Sequence, residues 1–184
     1  MERTFEEQKG FSIKMSTLAF QHFYKSIWNA LAQVSNSRAD QEYGIDWFIL
    51  RAEGTITIQE KFRREKKCLG LTQQDFDRCI ADYIVWGSTP NEKYFTDFII
   101  CRRDKLLAWA DATEPEGIYN GVKYFNYKDI PDSIKVFDMS WGVRITVSLP
   151  YFRTDRKFDV REISTSSKLS EIELEIIREW INRP

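Results

Sequence analysis

Between Ser16 and Val34 the apolar positions Leu18, Ala19, Phe23, Ile27, Ala30, Leu31 and Val34 recur three or four residues apart. That spacing keeps them on one face of a helix, which is expected to end near Ser35-Asn36-Ser37. The pattern then shortens. Tyr43 to Arg51 (YGIDWFILR) is an aromatic and β-branched run, and Thr55 to Phe62 alternates, with Glu53-Gly54 as a tight turn between them. Together they predict a β-hairpin. Leu71 to Trp86 reads as a second helix, with Thr72 as N-cap and Asp75 completing a capping box. Tyr94 to Cys101 and Leu106 to Ala110 read as strands around the polar turn Arg102 to Lys105.

Further on, Val122 to Tyr127 and Val143 to Leu149 are strand candidates, with Pro131 and Pro150 as breaks. Near the end, Ser170 and Glu173 form a capping box, and Ile172, Ile176, Ile177, Trp180 and Ile181 share one helical face, to pack on the chain's own sheet or on a second subunit. The expected class is mixed α/β: a central mixed β-sheet flanked by helices. One domain over residues 1–184 is expected, with 111–184 extending its core.

Side chains alternate along a strand, so Ile56, Ile58, Glu60 and Phe62 point one way and Thr57, Gln59, Lys61 and Arg63 the other. On the preceding strand Asp46 interrupts the apolar run Ile45-Asp46-Trp47-Phe48-Ile49. A carboxylate buried in such a run is costly unless something positive or metallic lies against it. Asp46 therefore asks for a partner.

Composition narrows the field. With 184 residues, 42% of them hydrophobic, the chain can bury a sizeable core. Lys and Arg number 27 against 28 Asp and Glu, so any contact with nucleic acid must come from a local patch rather than a global field. The run Arg63, Arg64, Lys66 and Lys67 is such a patch. Cys68, Cys79 and Cys101 lack metal-ligand or disulfide spacing and read as reduced thiols of a cytoplasmic protein. The charged start, MERTFEEQKGFSIK, has no export signal, and no stretch is apolar enough to span a membrane. His22 is the only histidine, set in a helix as a surface or boundary residue, which leaves Ser-His and Cys-His chemistry little to use. There is no Walker loop, GxGxxG or HExxH.

Gly44-Ile45-Asp46 followed, thirteen residues after Asp46, by Gln59-Glu60-Lys61 resembles the PD-(D/E)XK nuclease superfamily, whose restriction-endonuclease-like core runs helix, hairpin, helix, strand. By that resemblance, Asp46 matches the first acid, Gln59 stands where the second acid usually is, and Lys61 matches the lysine beside the attacking water. The resemblance implies Mg²⁺ or Mn²⁺ on Asp46, Gln59 and the main-chain carbonyl of Glu60, with a helper acid from Glu6 or Glu7 in an early helical turn, or from Glu42. A second register remains open, in which a bulge turns the Glu60 side chain inward. Gln59 keeps an oxygen ligand but removes a negative charge.

The expected function is a Mg²⁺-dependent DNA endonuclease using Asp46, Gln59, Lys61 and Glu7, with Arg63, Arg64, Lys66 and Lys67 on phosphates. RNA is an open alternative substrate, because the chemistry acts on the phosphate. A homodimer or homotetramer would place two sites on a duplex. The alternative is a catalytically inactive nucleic-acid-binding or assembly protein of the same fold, in which Gln59 marks a decayed site.

Overall fold

The computed structural model describes residues 4–64, 68–140 and 143–145. They belong to the first of two units, residues 1–150; the second comprises 151–184. The helix expected at 170–181, most of the strand expected over Val143 to Leu149, and Lys66 and Lys67 of the basic run lie outside the described residues.

The chain opens with α1 (Phe5–Ala19), started by a capping box in which Thr4 Oγ1 accepts from Glu7 N at 3.3 Å and Glu7 Oε2 accepts from Thr4 N at 2.9 Å. One wide π turn (Phe20–Tyr24) leads into α2 (Lys25–Trp28), which ends at Asn29 with φ +50°. The predicted helix therefore begins earlier and ends sooner, and Ala32–Val34 forms β1. Next comes α3 (Ser37–Tyr43), capped by Asn36 and closed by Gly44 at φ +60°. No apolar period announced it, because Ala39 is its one buried residue.

The hairpin is present: β2 (Trp47–Arg51) pairs antiparallel with β3 (Gly54–Arg63), from Trp47 opposite Ile58 to Arg51 opposite Gly54. After it come β4 (Cys68–Thr72) and α4 (Gln73–Asp77), then β5 (Tyr83–Ser88), which lies parallel to β3. The predicted Leu71–Trp86 helix is thus a five-residue helix, with its Thr72–Asp75 capping box in place, followed by a strand. Then β6 (Asp97–Arg102) leads into α5 (Arg103–Asp111), so Leu106 to Ala110 is helix, not strand. The chain continues with β7 (Gly117–Tyr119), β8 (Val122–Asn126), β9 (Lys135–Ser140) and β10 (Val143–Ile145).

Two sheets result, of order β1-β2-β3-β5-β6-β9-β10 and β4-β8-β7. In the first, only the β3–β5 pair is parallel, so the sheet is mixed, as expected. Phe23, Tyr24 and Trp28 cover one face of it, with Phe23 stacked on Phe98 at 4.0 Å between ring centres and Trp28 against Tyr83. On this face a Cβ at Gly87 would lie 2.7 Å from Phe95, so the close approach requires glycine. The other face buries Ile84, Trp86 and Ile99 under Leu69 and Leu71 of β4, Leu106 of α5 and Phe125 of β8. No described helix is long and apolar enough to cross a membrane.

Candidate functional site

Asp46 lies one residue before β2 rather than within it, and Gly44 puts it there. The left-handed turn at Gly44 ends α3, and the Asp46 amide then donates to Ile58 O at 2.9 Å. A Cβ at Gly44 would come within 3.1 Å of both Cys79 and Gln59 Oε1. Glycine is needed here for conformation and for space alike.

Opposite this turn, β3 presents Gln59 and Lys61 on one face. Lys61 Nζ pairs with Asp75 Oδ1 at 2.7 Å. Asp75 is held by its own capping box, its Oδ2 accepting from Thr72 N at 2.7 Å and from Thr72 Oγ1 at 2.9 Å. The ammonium is thus fixed by the start of α4. Gln59 is 7% exposed and its Oε1 is buried with no hydrogen-bond partner from the protein, an arrangement that an ordered water or a bound cation would satisfy.

Asp46 Oδ2 accepts from the Glu60 amide at 2.5 Å. Burial pushes the Asp46 carboxyl up to about 7, against the pull of that amide; Asp40 adds to the rise and Lys61 opposes it. Burial raises the carboxyl of Asp40, on α3, as well, and the charge of Lys61 opposes that rise.

The Glu60 side chain faces the other way. Its carboxylate accepts from Tyr24 OH at 2.5 Å, from Trp47 Nε1 at 2.9 Å and from Ser16 Oγ. Pairing of β3 with β5 runs without interruption from Ile58 to Arg63, so the register that would turn this side chain toward Lys61 does not occur. Burial, then the charge of Asp46, pushes Glu60 up to about 8. A strand residue's N–H and C=O share a side, so the Glu60 carbonyl, like its amide, faces the Asp46 end.

The helper acids expected from sequence are exposed or paired with other groups. Glu7 is engaged in the capping box of α1, and Glu6 beside it is exposed. The reason is that α1 packs on the Glu60 face of β3, through Ser16, and not on the Lys61 face. Glu42 pairs with Arg38 at 2.8 Å on the surface of α3. The carboxylates that act on Asp46 and Lys61 are instead Asp40 and Asp75. Asp75 was visible in the sequence as a cap; Asp40 carried no signal apart from its place four residues before Gly44.

Among the described residues no three His, Cys, Asp or Glu side chains gather as a metal cage. A cation here would need the amide oxygen of Gln59 and main-chain oxygen besides carboxylate. Of the basic run, Arg63 ends β3 with its guanidinium beside Gly70 of β4, and Arg64 pairs with Glu92. His22 is exposed, and none of the three cysteines is in a disulfide. No protein-family model matches the chain, and no curated protein matches its sequence.

Proposed function

We propose that the chain is a metal-dependent phosphodiesterase of the PD-(D/E)XK type, cutting DNA at the Asp46, Gln59 and Lys61 site. The observation that carries this reading is the buried, unpartnered Oε1 of Gln59 beside Gly44, with Lys61 two residues along the same face and Asp46 at the neighbouring turn. The order α1, β2–β3 hairpin, α4, β5, with Asp46 just ahead of β2, supports a restriction-endonuclease-like core.

The donor set fits a hard cation. Oxygen ligands are available from Asp46, from Gln59 and from the Glu60 carbonyl, and the charge of Asp40 acts on Asp46 from α3. Mg²⁺ or Mn²⁺ bound there would supply charge to a phosphate oxygen and an activated water. Asp46 and Gln59 hold and orient; Asp75 fixes Lys61 so that its ammonium can donate to the attacking water or to the phosphate as charge develops. Asp40 and Asp75 also offset the charge that Gln59 lacks relative to an acid.

The test is cleavage of plasmid, linear and single-stranded DNA, with RNA alongside, in Mg²⁺, Mn²⁺ or EDTA. Metal-dependent cutting that Asp46→Asn abolishes supports the reading. Binding without cutting in any metal would favour the non-catalytic alternative, for which Gln59 in place of an acid is the supporting observation.

A further inference from the structure

We infer that the groove between α1 and the end of β3 binds the backbone of a single nucleic-acid strand, and that Glu92 holds the place of one phosphate there in the ligand-free protein. The inference rests on the nuclease reading for its choice of ligand. The groove itself arises from strand lengths: β2 stops at Trp47, opposite Ile58, while β3 runs on to Arg63 and α1 passes alongside. It encloses about 480 Å³, between Gln8, Phe11 and Ser12 on one wall and Glu60 to Arg64 on the other. That is the size of a small-molecule site, with room for a nucleotide. A pocket of that size can enclose a nucleotide of one strand, whereas a base-paired duplex would have to lie across its mouth.

The mouth carries the chemistry a strand would use. The Arg64 guanidinium lies over the Phe11 ring, 5.5 Å from its centre, and pairs with the Glu92 carboxylate. Lys14 Nζ approaches the same carboxylate at 3.5 Å. An anion is therefore held between two cations, beside an aromatic ring, at the edge of a groove. Guanidinium groups grip carboxylate and phosphate with the same fork of donors, so a phosphate can replace the carboxylate. Aromatic rings beside cationic grooves are the general means of holding single strands.

Glu92 is built as a removable occupant. Its backbone has φ +61°, which a glutamate rarely adopts, and it sits in the loop between β5 and β6, its amide donating to Thr89 Oγ1 at 3.0 Å. Such a conformation persists only while contacts hold it. Exchange of the carboxylate for a phosphate would leave Lys14 and Arg64 paired throughout.

The experiment is fluorescence anisotropy in EDTA with short labelled single strands of DNA and of RNA, and with the matching DNA duplex. Single strands of either sugar are expected to bind more tightly than duplex, and Glu92→Gln is expected to tighten single-strand binding several-fold. Arg64→Gln should weaken it and make the slope of log affinity against log salt shallower by about 0.7. Equal or tighter duplex binding overturns the inference, as does Glu92→Gln leaving single-strand affinity unchanged in a variant whose melting temperature matches wild type. Cleavage in Mg²⁺ is scored separately. Single-strand binding without cleavage would sink the nuclease reading and keep this one, whereas cleavage with no response to Glu92→Gln would do the reverse.

Discussion

Gln59 and Glu60 are consecutive on one strand, yet the two faces they occupy are opposite in kind. Glu60 is met by three donors, from Ser16, Tyr24 and Trp47, each from a different part of the chain, so its carboxylate ties α1 and the π turn to the hairpin. The Gln59 face has an oxygen with no protein partner, two carboxyls whose charges oppose each other, and an ammonium held in place by a helix cap. Both faces concentrate buried polar groups. A satisfied cluster holds a fold together, while an unsatisfied one is kept at a cost that function can explain. By that criterion the acid of the Gln59-Glu60-Lys61 motif is structural, and the amide is the group left to the proposed chemistry.

Substitutions on the two faces should separate activity from stability. The largest effect is expected from Asp46→Asn, which can still accept from the Glu60 amide but loses the charge that holds a cation. Metal-dependent cleavage should fall by roughly a thousandfold with the melting temperature little changed. Glu60→Ala should do the opposite in kind. Three donors lose their acceptor, which costs about 3 kcal/mol in urea denaturation and removes activity only by unfolding. Gln59→Glu restores a charge at the ligand position and should tighten Mg²⁺ binding by about tenfold in calorimetry, provided the cation sits where proposed.

A further effect is expected on stability against pH in EDTA. The folded chain raises the Glu60 carboxyl from the usual 4.5 to about 8 and so holds its proton more tightly than the unfolded chain does. Stability is fully present below about 4.5 and is lost as pH rises through about 8. The melting temperature should therefore drop across that window in wild type and change less in Glu60→Gln; an equal drop in both would place the titrating group elsewhere.

Local chemistry was legible in the sequence, and tertiary arrangement was not. The hairpin around Glu53-Gly54 and the Thr72–Asp75 cap are set by neighbouring residues, and both are present. Ile84 to Trp86 was read as helix because a strand buried on both faces gives a continuous apolar run, which periodicity cannot tell from a helix. The same ambiguity turned Leu106 to Ala110 the other way, into an expected strand. In the candidate site, alternation alone put Gln59 and Lys61 together and Glu60 opposite. Asp40 and Asp75 reach the site through α3 and α4, whose packing no spacing in the sequence encodes. Glu6 and Glu7 were expected at the site; Glu7 is engaged in the capping box of α1, and both are exposed.

The central claim, that the catalytic groups lie on the Gln59 and Lys61 face of β3 while the Glu60 carboxyl on the other face holds the fold together, is tested most directly by DNA cleavage in Mg²⁺ and in EDTA with three proteins: wild type, Lys61→Met and Tyr24→Phe. The account expects metal-dependent cleavage by wild type, its loss in Lys61→Met, and its retention in Tyr24→Phe at a lowered melting temperature. Cleavage that survives Lys61→Met, or none by folded wild type in either metal, would contradict it.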